Sequence, residues 1–245
     1  MNECMKETSF KRVKNSLNDF FFAPKANCLG CMSALGCDKD FLCAKCYASL
    51  SPLYLTYSGI THICNLCGNE IKNKACKCGG KLKNAYTVYS AYRFEQPVST
   101  IVKAFKYRSS TCLSVWIAEQ MILALKGECN FDIITFVPMH FLRKVSRGYN
   151  QSEILAKHIS IKLNIPLKDT LKRSRYTRKQ ASLRASLRKK NLINAFKIIN
   201  KDIKGKHVLL IDDVRTTGST IIECAKILKE NGAGKVSALT LACSK

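Results

Sequence analysis

An α/β domain with a parallel sheet flanked by helices, preceded by a small cysteine-rich module, is the architecture the sequence predicts. Two observations predict it. Nine of the 14 cysteines fall between Cys28 and Cys78, and from about Tyr86 onward apolar runs of strand length alternate with segments of helical spacing. With 245 residues, 47% hydrophobic and 24% charged, the chain can build one large or two smaller cores and is neither disordered nor collagen-like. The texture divides it into an N-terminal extension (1–27), a cysteine-rich domain (28–84) and an α/β domain (85–245).

No uncharged apolar run approaches the roughly 18 residues needed to span a bilayer. Met1 to Lys25 carries no secretory apolar segment, since Phe20, Phe21 and Phe22 are flanked by Asn18, Asp19 and Lys25. The reading is therefore cytoplasmic, a compartment that keeps thiols reduced, so the clustered cysteines point to metal rather than disulfides.

Their spacing is Cys28-x2-Cys31, Cys43-x2-Cys46, Cys64-x2-Cys67 and Cys76-x-Cys78. Two cysteines two residues apart turn both sulfurs inward around a tight knuckle, and two knuckles complete the four-thiolate shell of structural zinc. Eight ligands allow two ions. Sequential pairing puts Cys28, Cys31, Cys43 and Cys46 on one, and Cys64, Cys67, Cys76 and Cys78 on the other. Interleaved pairing satisfies the spacing as well, and Cys37 and His62 stand close enough to replace a ligand. A closed four-sulfur site folds its segment and catalyses nothing.

The α/β elements follow in order. Ala85 to Arg93 alternates aromatic and β-branched residues as a strand does; Val98, Ile101, Val102 and Phe105 recur at helical spacing. Phe131 to Val137 reads as a buried strand ended by Pro138. Gln151 to Leu163 reads as a helix with Ile154, Leu155, Ile159 and Leu163 inward. Lys206 to Ile211 is a second buried strand, Thr220 to Glu230 a helix stopped by Asn231-Gly232, and Lys235 to Leu241 a closing strand. Strands separated by helices imply right-handed crossovers and a parallel sheet.

In such sheets ligands sit beyond the carboxyl ends of the strands. Beyond Ile211 comes Asp212-Asp213-Val214-Arg215-Thr216-Thr217-Gly218-Ser219-Thr220, leading into a helix. Small hydroxyl residues around one glycine let backbone N–H groups converge on an anion at a helix N-terminus, so Thr216, Thr217, Gly218, Ser219 and Thr220 form a phosphate cradle. Asp212 and Asp213 suit neighbouring sugar hydroxyls instead. Together they describe a ribose 5-phosphate site. The string is neither a Walker loop nor a dinucleotide fingerprint.

The run from Val208 to Gly218 resembles the phosphoribosyl pyrophosphate (PRPP) signature of type I phosphoribosyltransferases. The wider pattern resembles one branch of them, the ComF family of competence proteins (ComFC and GntX-like). It comprises the paired-cysteine N-terminus, Phe105-Lys106-Tyr107-Arg108, Val137-Pro138-Met139-His140, Arg147-Gly148-Tyr149-Asn150-Gln151, Arg178-Lys179-Gln180, Arg188, Asn191-Leu192 and Ala195-Phe196. The resemblance covers Cys28 to Cys243. It implies that Asp212 and Asp213 hold the ribose hydroxyls and that Thr216 to Thr220 hold the 5-phosphate. Pro138, Met139 and His140 would belong to the pyrophosphate loop, with Arg143 and Arg147 adding charge that forks onto oxygens. Mg2+ accompanies PRPP in such sites.

Between Lys168 and Lys206 lie 14 Lys and Arg against two acids, Asp169 and Asp202. This stretch reads as a flexible basic flap. It corresponds to the loop that covers PRPP in the family fold, with Arg175, Arg178, Lys179 and Gln180 as its ligand contacts. The same stripe suits a nucleic-acid backbone, as does the formal charge of +24.

By resemblance the function is DNA uptake in natural transformation, on single-stranded DNA and with other DNA-uptake proteins as partners. Enzymatic activity stays open between a phosphoribosyltransferase with a nitrogenous acceptor and a non-catalytic PRPP-sensing regulator that binds nucleic acid. Purine-salvage relatives carry an acidic base three residues beyond the second acid; here that position is Thr216, as in orotate-type enzymes.

Overall fold

Alternation of side chains along the strands sets the two faces of the central sheet. The computed structural model describes residues 27–33, 35, 41–55, 59–73, 75–107, 111–174 and 195–244. Five strands form the sheet: β1 (Ile60–Ile63), β2 (Tyr86–Arg93), β3 (Ile133–Phe136), β6 (His207–Arg215) and β7 (Lys235–Cys243), in the order β1-β2-β7-β6-β3. The pairs β2–β7, β7–β6 and β6–β3 are parallel, with Thr87 opposite Ser237, Ile211 opposite Leu239 and Ile133 opposite Val208. The predicted parallel sheet is thus present.

The structure adds an antiparallel edge. β1 comes from the cysteine-rich stretch and pairs with β2, Ile60 opposite Tyr89 and Ile63 opposite Tyr86.

Along β6, Leu209 and Ile211 face one side and Val208 and Leu210 the other, all fully buried. The first side is covered by three helices, α2 (Val98–Tyr107), α3 (Thr111–Ala124) and α5 (Gln151–Leu163). Val98, Ile101, Val102 and Phe105 of α2 are all buried there, as their spacing predicts. The second side is covered by α6 (Ser219–Glu230) through Ile221, Cys224, Ala225 and Leu228. A sheet buried on both faces needs the near-continuous apolar strands that β6 and β7 have.

The cysteine-rich stretch shares the first core. Cys46 of the short helix α1 (Ala44–Ala48) and Cys28, Leu42, Leu50 and Leu53 from the segments around it belong to the same apolar cluster as Ile101 and Phe105. Aromatic contacts knit this junction: Phe41 meets Trp116 of α3 edge-on at 5.3 Å, and Tyr54 meets Tyr92 of β2 in the same way.

A separate hairpin pairs β4 (Leu171–Arg173) with β5 (Phe196–Ile198), Leu171 opposite Ile198. Leu171, Ala195 and Phe196 pack into the cluster under α6, and Ser174 N–H donates to Ala195 O at 2.9 Å. Residues 175–194 connect these two strands, so Arg175, Arg178, Lys179 and Gln180 lie outside the described residues.

One boundary differs in a way that matters. The strand expected to stop at Ile211 runs to Arg215, because Asp212, Val214 and Arg215 still pair with Thr240, Ala242 and Cys243 of β7. Polar side chains do not end a strand whose backbone keeps a neighbour, so the two acids sit within the strand rather than beyond it.

Candidate functional site

Asp212 and Asp213 occupy the carboxyl-terminal part of β6, and the residues around them come from distant parts of the chain. Ser152, in the first turn of α5, donates its hydroxyl to Asp212 Oδ1 at 3.0 Å, and the Asp213 N–H donates to the same oxygen at 2.9 Å. Lys106, near the end of α2, places Nζ 2.5 Å from Asp213 Oδ2. Asp213 Oδ1 accepts the Val214 N–H at 2.8 Å. Burial pushes the Asp212 carboxyl up to about 7, helped by the adjacent charge of Asp213; hydrogen bonds from Asp213 N–H and Ser152 oppose this.

Beyond β6 the chain turns into α6 through Thr216, Thr217 and Gly218. Gly218 is the N-cap residue and adopts φ +75°, the left-handed region that favours glycine. Thr217 and Ser219 share a hydroxyl hydrogen bond of 2.8 Å. Thr220 follows in the first turn, where N–H groups lack helical acceptors. The five residues thus flank the N-terminus of a twelve-residue helix whose dipole favours an anion.

Val137 to His140 leads away from β6 next to the acids, since Val137 N–H donates to the carbonyl of Ile211, the residue before Asp212, at 2.9 Å. Pro138 is buried, while Met139 and His140 are half-buried. His140 caps α4 (Phe141–Arg147), accepting the Leu142 N–H on Nδ1 at 3.3 Å. Arg147 donates Nη1 to Gln151 Oε1 at 2.8 Å, so its guanidinium is held to α5. The side chain of Arg143 lies outside the described residues.

The motif pieces quoted for the resemblance are joined physically. Asn150 caps α5 by accepting the Ser152 N–H, and its Nδ2 donates to Val137 O at 3.1 Å. Tyr149 donates its hydroxyl to Phe105 O, and Gln151 reaches Lys106 O. This web holds Lys106 over Asp213. Lys106 and Ser152 were not among the predicted site residues. Lys106 stood within a quoted motif, whereas nothing in the local sequence marks Ser152.

The eight cysteines fall into two groups, Cys28, Cys31, Cys43 and Cys46, and Cys64, Cys67, Cys76 and Cys78, the sulfurs of each within 4.8 Å of one another. This is the sequential grouping. Sulfur pairs stand 3.8 Å (Cys31–Cys43), 3.5 Å (Cys64–Cys78) and 3.4 Å (Cys67–Cys76) apart. A tetrahedral shell with metal–sulfur bonds of about 2.3 Å has edges of about 3.8 Å. His62 stands in neither group, and Cys37 lies outside the described residues.

Two glycines make room for the sulfurs. A Cβ at Gly30 would stand 2.6 Å from Cys46 Sγ, and one at Gly80 would stand 2.3 Å from Cys64 Sγ. N–H groups of Gly30 and Cys43 point at Cys28 Sγ, at 3.3 and 3.2 Å, as a thiolate requires. The Ser33 hydroxyl, 2.8 Å from Cys31 Sγ, pulls that thiol down to about 6. Each group can hold a metal ion as a closed four-sulfur shell.

The chain is similar to known proteins over most of its length. Residues 149–244 match the phosphoribosyl transferase domain. The chain is 29% identical to competence protein F of Haemophilus influenzae over 227 residues, covering 88% of this chain and 96% of the relative. It is 30% identical to DNA utilization protein YhgH of Salmonella typhimurium over 212 residues, 78% of this chain and 93% of the relative. Among solved structures, adenine phosphoribosyltransferase from Thermoanaerobacter pseudethanolicus matches with a TM-score of 0.36 at 14% identity, covering 77% of this chain and 86% of that one. The quoted motifs from Phe105 to Gly218, the paired-cysteine N-terminus and similarity over most of the chain to both relatives make this chain a member of the ComF family, built on the type I phosphoribosyltransferase fold.

Proposed function

We propose that the chain is a zinc-stapled, PRPP-binding protein of DNA uptake in natural transformation, acting in the cytoplasm and contacting single-stranded DNA. The observation that carries this reading is the junction of β6 and α6. Two acids in the strand lie beside Lys106 and Ser152, and a Gly218-capped helix N-terminus follows within six residues. Asp212 and Asp213 accept the ribose hydroxyls. Thr216 to Thr220 surround the 5-phosphate, and the loop from Pro138 to His140, with Arg143 and Arg147, faces the pyrophosphate. Mg2+, bound together with PRPP, would supply charge neutralisation for the pyrophosphate facing the Pro138 to His140 loop.

Four-thiolate shells with glycine clearance suit zinc in a structural role. The names of the two relatives, competence protein F and DNA utilization protein, support the DNA-uptake role. The basic stretch between β4 and β5 supports contact with single strands, and Arg175, Arg178, Lys179 and Gln180 are its proposed ligand contacts. Among the described residues no helix is long and apolar enough to cross a membrane.

Calorimetric titration of Mg2+–PRPP into the zinc-loaded chain tests the site. Binding is expected for the wild type and lost in Asp213→Ala; a wild type that takes up no PRPP overturns the reading. Screening nitrogenous acceptors for pyrophosphate release then separates a transferase from a sensor. In cells, Asp212→Ala with Asp213→Ala is expected to abolish transformation while nucleotide pools stay normal.

A further inference from the structure

The second cysteine group and the phosphate-binding helix meet at one side chain. Gly68 follows directly on Cys67 and closes the knuckle, its N–H donating to Cys64 O at 2.9 Å with φ +77°. A Cβ there would stand 3.0 Å from Ile222 Cδ1, 3.6 Å from its Cγ2 and 3.8 Å from its Cγ1, so the bare backbone of the knuckle rests on Ile222. Ile222 also closes the first turn of α6, donating its N–H to Gly218 O at 2.9 Å. A Cβ at Gly218 would lie 3.7 Å from the same Cδ1 atom. One methyl group therefore lies against both the knuckle and the N-cap of the cradle.

Ile63, immediately before Cys64, lies in the same apolar cluster that Ile222 packs against, together with Ile221 of α6. The knuckle is thus anchored on both sides of Ile222, by β1 within the sheet and by Gly68 on the helix. A knuckle without metal has no sulfur shell to fix the Cys64–Gly68 turn, and Ile222 then loses the surface that holds the first turn of α6 in place.

From this we propose that Ile222 is a positioning residue coupling metal occupancy of the Cys64, Cys67, Cys76 and Cys78 group to 5-phosphate binding at Thr216 to Thr220. The coupling rests on the PRPP-site reading above. It is reciprocal: a ligand that orders the cradle strengthens retention of the metal by the same factor by which the metal strengthens the ligand.

The test follows zinc transfer from the full, zinc-loaded chain to a chromophoric chelator, with and without Mg2+–PRPP, alongside calorimetric titration of PRPP. PRPP is expected to slow release of one zinc ion at least about fivefold in the wild type, the low end of ordinary coupling. Ile222→Val removes only Cδ1; it is expected to bind PRPP yet release zinc at a rate that PRPP no longer changes. Ile222→Met restores the reach and the slowing. PRPP binding to the wild type with no change in either zinc phase overturns the coupling, as does a wild-type response in Ile222→Val. A wild type that takes up no PRPP overturns the site reading and the coupling together, and the calorimetric arm distinguishes this from failure of the coupling alone.

Discussion

Lys106 Nζ lies 2.5 Å from Asp213 Oδ2, so the acid proposed to meet ribose is already held by a cation from a different element. The ion pair fixes the carboxylate orientation before ligand arrives, and the web from Tyr149 and Gln151 fixes the backbone that carries the lysine. Lys106→Met is expected to weaken Mg2+–PRPP binding about tenfold, the modest end of the value of a charge-assisted bond. Lys106→Arg should recover part of it. Calorimetry on the zinc-loaded variants checks this, and unchanged affinity in Lys106→Met would remove the lysine from the site.

Asp212 gives a pH signature. Its carboxyl titrates at about 7 in the folded chain, mainly through burial, against about 3.9 in an unfolded one. A raised carboxyl favours the protonated native state, so its contribution to stability is full below about pH 4 and is lost as pH rises through 7. Asp212→Asn escapes that loss. Its melting temperature should gain on the wild type between pH 5 and pH 8, by about 2–4 °C if about 1 kcal/mol survives solvent screening. A gap that narrows as pH rises would contradict the assigned burial.

Gly30 and Gly80 test the metal shells one at a time. A methyl at either position drives into a ligand sulfur, Cys46 or Cys64 respectively. Gly30→Ala and Gly80→Ala are each expected to lower bound zinc from two ions per chain to about one, and to lower the melting temperature by at least about 5 °C. Metal analysis of purified variants, with full chelation as the reference, reads both effects. Retention of two ions in either variant would show that the sulfurs are not a closed shell.

Single-stranded DNA affinity should be governed by salt. With about four Lys or Arg contacts to phosphate, the logarithm of affinity falls with the logarithm of salt at a slope of about −3. Replacing Arg175, Arg178 and Lys179 with glutamine is expected to flatten that slope by about 2. Fluorescence anisotropy across a salt series measures it, and a flat response in the wild type would take the basic stretch out of the nucleic-acid role.

The junction of β6 and α6 was legible in the sequence because its residues are contiguous: an apolar strand, two acids, then Thr217-Gly218-Ser219 before a helix. The cysteine pairs were legible for the same reason, as local knuckles. Their pairing was not, because spacing satisfies interleaved and sequential shells alike and only the approach of turns in space separates them. Ser152 escaped notice because its role exists only when the start of α5 reaches β6, 60 residues further along the chain. The true end of β6 at Arg215 depends on β7, whose backbone offers partners that no property of Asp212 announces. β1 was invisible as a strand: Ile60 to Ile63 is too short to declare a period, and β2 defines it.

That last strand decides what the α/β portion looks like by itself. β3, at the far edge, is shielded by backbone bonds between Ile134 and the 166–168 segment. The outer edge of β2 is covered by β1 along Tyr86 to Tyr89 and by Tyr54 and Leu55 along Ala91 and Tyr92, all from the segment before residue 85. A fragment beginning at residue 85 would present an open, mostly apolar strand rim to its neighbours in solution, the template on which chains stack into aggregates. The cysteine-rich stretch therefore covers a strand edge that the α/β portion alone would leave open.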